Sequence, residues 1–225
     1  MKSPMKLPIE SHIPEILQAF ESYSRVLVEA EPGAGKSTVL PLEFMRHHPK
    51  KKIVLLQPRR LAAKNLAMRL SQLNESPIGQ DIGYQVRGES KFHAETQLLV
   101  MTQGIFLRRM LEDPELENVD VILMDEFHER HLDGDFILAA VQDVQDFFRE
   151  DLQLGILSAT LDSQRLLNLL GDDCYRSFSA GRAFPVEIEN RELDPNDLKK
   201  FSFLVQTMAK EIRSGQKRLA KGHIL

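Results

Sequence analysis

Five short apolar runs punctuate the chain, at residues 26–28, 53–56, 97–101, 119–124 and 152–157. Each is rich in Val, Ile or Leu and too short for a buried helix. Their character is continuous rather than alternating, which predicts strands covered on both faces, as in a parallel sheet. The stretches between them carry helical spacing of apolar residues and predict helices at about 13–22, 61–73, 102–112 and 136–149. A further helix beginning near Gly35 would use Val39, Leu40, Leu42 and Phe44 to pack back on the sheet. Strands alternating with helices in this way predict an α/β fold: a doubly wound, mainly parallel sheet with helices on both faces.

Beyond residue 186 the pattern changes. A turn-prone Asp194-Pro195-Asn196-Asp197 leads into a helical stretch at about 198–213, and His223-Ile224-Leu225 reads as a strand barely begun. A boundary is expected between 180 and 195, dividing the chain into a domain at 1–183 and a remainder at 184–225 too small to be a second domain. No internal repeat or low-complexity segment is visible, and Lys50-Lys51-Lys52 is most simply a solvated loop.

Composition narrows the classes. The 225 residues carry 42% hydrophobic and 28% charged side chains with a formal charge of −4, so there is no global basic footprint for a polynucleotide. Any nucleic-acid contact must come from locally placed arginines and amides. The single cysteine, Cys174, excludes an internal disulfide and reads as an inert, partly buried thiol. No window approaches the roughly 18 apolar residues of a membrane span, and the first residues lack a signal-peptide core. A cytoplasmic location without membrane contact is expected.

The densest chemistry follows the first strand, in Glu29-Ala30-Glu31-Pro32-Gly33-Ala34-Gly35-Lys36-Ser37-Thr38. Glycines at 33 and 35 let backbone N–H groups turn inward on a phosphate chain. Lys36 would reach the β- and γ-phosphates and Ser37 would hold Mg²⁺. Ala30 stands where the P-loop pattern has its first glycine, a position that needs a small residue more than a positive φ. A glycine-rich turn without a ligand would explain Gly33 and Gly35, but neither Lys36 nor Ser37.

The fourth run ends in Asp125-Glu126-Phe127-His128, which places two carboxylates at a strand tip. A metal-nucleotide site needs one carboxylate for the Mg²⁺ shell and one to orient or deprotonate the attacking water; Asp125 suits the first task and Glu126 the second. The fifth run ends in Ser158-Ala159-Thr160. A hydrogen bond from His128 to Ser158 or Thr160 would tie the nucleotide site to the rest of the domain.

Together these stretches resemble the first motor domain of superfamily 2 helicases of the DEAH/RHA group, over about residues 10–190. Gln57-Pro58-Arg59-Arg60-Leu61-Ala62-Ala63 is similar to its motif Ia, Gly83-Tyr84-Gln85-Val86-Arg87 to the segment before motif Ib, and Met101-Thr102-Gln103-Gly104 to motif Ib. Gly181-Arg182-Ala183-Phe184-Pro185-Val186 is similar to the exit from this domain. Phe127, where most members carry alanine, resembles a bacterial subgroup. The resemblance implies a RecA-like P-loop NTPase domain that uses ATP with Mg²⁺. It assigns catalysis to Glu126, Lys36 and His128, nucleotide binding to Gly33, Ala34, Gly35, Lys36, Ser37, Thr38 and Arg69, and Mg²⁺ to Ser37 and Asp125. Arg69 would stack on adenine, Arg59, Thr102 and Gln103 would touch the backbone of a single strand, RNA being the expected form, and Ser158 with Thr160 would couple the two sites.

One family feature is absent: nothing resembles the second domain's arginine-finger motif Q-x-x-G-R-x-G-R. The resemblance therefore implies half an active site, ending as a second RecA-like domain starts, with little activity alone. Two rivals stand beside it. One is a non-enzymatic adaptor domain that responds to nucleotide, the other a P-loop ATPase of another lineage that binds no nucleic acid.

Overall fold

The computed structural model describes residues 7–159, 163–171, 173–179, 205–206 and 208–210. Eight strands are present among them: β1 (Arg25–Ala30), β2 (Ile53–Gln57), β3 (Ile82–Val86), β4 (Glu89–Lys91), β5 (Leu98–Thr102), β6 (Val121–Met124), β7 (Gln153–Ser158) and β8 (Cys174–Ser179). They form one sheet in the order β4-β3-β5-β2-β6-β7-β1-β8. Every pairing is parallel except the β3–β4 hairpin. All five apolar runs become inner strands, because a strand with neighbours on both sides and helices on both faces leaves no side chain in water.

Among the described residues six helices cover the sheet: α1 (Ile13–Ser22), α2 (Val39–His47), α3 (Arg60–Leu73), α4 (Gln103–Glu112), α5 (Leu132–Phe147) and α6 (Ser163–Leu170). Alternate side chains of each strand sort to opposite faces. Val26, Val28, Ile53, Leu55, Val121 and Leu123 pack with α1, α2 and α3 on one side. Leu27, Val54, Leu56, Ile122 and Met124 pack with α4, α5 and α6 on the other. The expected doubly wound α/β fold is therefore found.

The differences from the sequence reading have local causes. Helix α2 starts at Val39 rather than near Gly35, because residues 36–38 first complete a turn whose N–H groups at Thr38 and Val39 both bond to the Gly35 carbonyl. Helix α5 starts at Leu132, earlier than expected; its first turn leaves Leu132 and Phe136 exposed, which breaks the amphipathic signal. The β3–β4 hairpin, α6 and β8 carry no continuous apolar run. In β3, Gly83 allows the next segment to close in, since a Cβ there would lie 2.6 Å from Phe92 Cβ and 2.7 Å from the Lys91 carbonyl oxygen. Strand β8 is an edge strand of mixed burial, so its polar residues are tolerated.

Cys174 is half-buried, and burial pushes its thiol up to about 11, in keeping with an inert side chain. Arg25, buried at the start of β1, binds Gln145 and Asp146 of α5 and the Leu170 carbonyl of α6, pinning both helices to that strand. The chain forms two compact units, Met1–Phe184 and Pro185–Leu225. In the second unit residues 205–206 and 208–210 are helical; the expected strand at 223–225 and most of the expected helix at 198–213 lie outside the described residues. Among the described residues no helix is long and apolar enough to cross a membrane.

Gly155 in β7 is another crowded point of the sheet. A Cβ there would sit 2.6 Å from Leu123 Cδ2 and 2.8 Å from Phe20 Cζ, both in fully buried side chains. Gly155→Ala is expected to destabilise the domain by about 1–3 kcal/mol through overpacking, read as a lower urea midpoint at unchanged slope.

Candidate active site

Because the inner strands are parallel, the carboxyl ends of β1, β2, β5, β6 and β7 all open on one edge of the sheet, where ligands of open α/β folds collect. The P-loop leaves β1 at this edge. Gly33 and Gly35 have φ of +82° and +99°, a region that side chains with a Cβ avoid. Space also constrains Gly35: a Cβ there would lie 2.9 Å from Leu7 Cδ1 and 3.1 Å from Val39 Cγ2. A short 3₁₀ turn, Pro8–Ser11, braces the loop through the Ile9 N–H to the Ala34 carbonyl at 3.2 Å. Ala30 is the buried last residue of β1 and has no positive φ, so alanine serves where the pattern has glycine.

Asp125 and Glu126 follow β6, two strands away from β1. Asp125 is buried, and its carboxylate is held by the Ser37 hydroxyl, by the side-chain N–H of Gln57 on Oδ2 and by the Glu126 N–H on Oδ1 at 2.9 Å. Burial pushes its carboxyl above the usual carboxylate range; the Ser37 hydrogen bond opposes that shift. Glu126 adopts a left-handed backbone with φ 52°, and Arg130, four residues on, does the same at φ 50°. Such conformations cost about 1–3 kcal/mol in non-glycine residues and tend to mark functional turns.

This turn aims Glu126 at the cradle. Lys36 Nζ lies 3.6 Å from Glu126 Oε1, and His128 Nε2 lies 3.3 Å from Glu126 Oε2. His128 Nδ1 accepts the Ala159 N–H at 3.3 Å, which assigns the ring proton to Nε2, facing the carboxylate. The sequence predicts a bond from His128 to Ser158 or Thr160; at the turn after β7, His128 is seen accepting the Ala159 backbone N–H. Ser158 is buried at the end of β7; Thr160 lies outside the described residues.

The residues expected to meet a nucleic-acid strand lie farther along the same edge. Arg59 follows β2 at the N-cap of α3 and Thr102 ends β5 at the N-cap of α4, and neither side chain makes a capping hydrogen bond. Arg59 is exposed and pairs with Glu129 at 2.9 Å; Glu129 also meets His131 at 2.9 Å. The His131 contact, then Arg59, hold the Glu129 carboxyl below its usual range. Gln103 requires a correction. It is buried against Gly134, where a Cβ would lie 3.1 Å from Gln103 Nε2, so its side chain packs α4 on α5 and faces no solvent-borne strand. Arg69 is exposed on α3, a helix that packs on β2, β3 and β5.

Two functional contacts were missed by sequence reasoning. Gln57 is the first residue of the motif Ia match and Glu129 part of the stretch that begins at Asp125, but neither was assigned a role of its own. The oxygens of Ser37 and Asp125 suit a hard cation such as Mg²⁺, which typically takes one or two carboxylates and completes its shell with water and phosphate oxygens. Among the described residues no three His, Cys, Asp or Glu side chains converge as a metal cage. The arrangement can hold a metal-bound polyphosphate with a carboxylate standing beside it.

Comparison with known proteins agrees with this geometry. The DEAD/DEAH box helicase family model matches residues 10–169. The ATP-dependent RNA helicase HrpB of Escherichia coli (strain K12) is 46% identical over 183 residues, covering 80% of this chain and 22% of that protein. The DExH-box ATP-dependent RNA helicase DExH1 of Arabidopsis thaliana is 36% identical over 187 residues, covering 80% of this chain and 19% of that protein. A crystal structure of Escherichia coli DEAH/RHA helicase HrpB superposes with a TM-score of 0.83 at 40% identity, over 92% of this chain and 26% of that one. The chain thus spans about a fifth of the length of the curated relatives it matches.

Gly35→Ala places a Cβ against Leu7 and Val39 in a backbone region hostile to L-residues. The left-handed backbone alone costs about 1–2 kcal/mol, so the variant is expected to melt several degrees lower by calorimetry.

Proposed function

This chain belongs to the DEAD/DEAH box helicase family, and we propose that it is the ATP-binding motor domain of an ATP-dependent nucleic-acid helicase, with single-stranded RNA as the partner. One observation carries the reading: the P-loop and the acidic strand tip converge, with Lys36 Nζ 3.6 Å from Glu126 while Ser37 bonds to Asp125.

That geometry supports the following roles. The loop formed by Gly33, Ala34, Gly35 and Thr38 surrounds the phosphates, with the N–H groups of Ala34 and Thr38 held by the Glu31 and Gly35 carbonyls shaping the turn, and the Lys36 ammonium leaves Glu126 for the β- and γ-phosphate oxygens. Ser37 and Asp125 would hold Mg²⁺, whose positive charge would be supplied beside the phosphates. Glu126, relieved of its lysine, orients the attacking water and accepts its proton; His128 holds that carboxylate and links it to the turn after β7. Arg69 stacks on adenine once nucleotide is bound, and Ser158 with Thr160 carries the change onward.

Arg59 and Thr102 stand at the N-termini of α3 and α4, on the neighbouring strands β2 and β5. Each helix end offers unbonded N–H groups and positive potential, so two adjacent phosphates of a strand can lie across them. On this reading residues 184–225 would belong to a linker and the start of a second RecA-like domain, the family's source of arginine fingers, in a cytoplasmic enzyme. Such a finger contributes factors of about 10³ to 10⁵ in phosphoryl transfer.

Steady-state phosphate release by the 225-residue chain is therefore expected to be slow, and no faster with poly-RNA. Brisk, RNA-stimulated turnover would contradict the role given to the second domain.

Titration of a labelled single-stranded RNA against salt tests the nucleic-acid half. Arg59→Ala should weaken binding and reduce the log–log salt slope by about one. Thr102→Ala, which removes a neutral hydroxyl, should weaken binding with the slope unchanged. Absence of RNA binding in the unaltered chain would favour the nucleotide-responsive adaptor instead.

A further inference from the structure

We propose that Gln57 is the positioning residue for the Asp125 carboxylate, fixing its rotamer for the cation; this rests on the reading of Ser37 and Asp125 as the Mg²⁺ site. Gln57 is the single polar residue of β2 and is 4% exposed. A glutamine withdrawn from water at the end of an inner strand is unfavourable unless its amide is bonded. Its NH₂ group donates to Asp125 Oδ2.

Strand register places it there. Leu56 pairs with Met124 across β2 and β6, and the Asp125 N–H continues the ladder to the Leu56 carbonyl at 2.9 Å. Gln57 and Asp125 are therefore the next pair of the same register, and paired residues of neighbouring parallel strands share a face. Of the two amide groups only NH₂ can face an ionised carboxylate, since its oxygens only accept. With Oδ2 held by Gln57 and Oδ1 by the Glu126 N–H at 2.9 Å, the carboxyl plane is set before any ligand arrives. The Ser37 hydroxyl then approaches an already oriented group. Outer partners of this kind orient a metal ligand, and losing one typically costs on the order of 10–100-fold in metal affinity.

The test measures the affinity of a fluorescent ADP in excess Mg²⁺ and in EDTA, and takes the ratio as the metal-dependent gain. Gln57→Leu keeps the volume and removes the donor; Gln57→Asn keeps the amide but is one methylene too short to reach. Thermal unfolding selects whichever variant is folded, and Asn, which preserves a buried amide, decides if Leu is not. The expected result is a gain reduced by on the order of 10–100-fold, with affinity in EDTA within about twofold, because the phosphate cradle is untouched. An unchanged gain overturns the proposal. Equal losses in both arms also overturn it, since they mark a merely structural role. A native chain with no metal-dependent gain removes the Ser37–Asp125 site itself, and the proposal with it.

Discussion

A carboxylate withdrawn from water at the edge of the sheet sets the terms for the rest of this domain. Asp125 is 1% exposed, and a buried charge is tolerated only where donors replace its hydration. Those donors come from separate parts of the chain: Ser37 from the loop after β1, Gln57 from the end of β2 and the N–H of Glu126 from its own turn. Their convergence requires β1, β2 and β6 to end level with one another. The apolar strands meet that requirement, since parallel pairing through β7 and between β2 and β6 aligns the ends without using any side chain of the site.

The same edge carries two chemistries side by side. The order β6-β7-β1 brings together the acidic turn, Ala159 and the P-loop, while β5-β2 carries Thr102 and Arg59. The segment 126–131 joins them: Glu126 meets Lys36, His128 meets Ala159 and Glu129 meets Arg59. A displacement of this turn would be felt at both ends. The exposed Arg59–Glu129 pair contributes little stability, so a phosphate can displace Glu129 at small cost.

Much of this was legible in the residues because the signals were local. Continuous apolar runs gave the inner strands, and the Gly33 to Thr38 loop and Asp125-Glu126 each reported their chemistry through identity and spacing. What the sequence left unread depends on register or on close approach. The contact from Gln57 to Asp125 exists because two strands pair level, which no single segment encodes. Gly83 and Gly155 look like interruptions of strands until the atoms crowding them are known. Gln103 sat in a motif associated with nucleic acid, yet the neighbouring helix, through Gly134, claims its side chain. The β3–β4 hairpin and β8 lacked a continuous apolar run because they lie at the margins of the sheet.

The Lys36–Glu126 pair has a consequence for the resting molecule. A lysine only 5% exposed needs an anionic neighbour, and before any phosphate arrives that neighbour is Glu126. Whatever anion draws the ammonium away also unmasks the carboxylate. The loop and the acid therefore behave as an interlock, the state of one side chain setting the surroundings of the other.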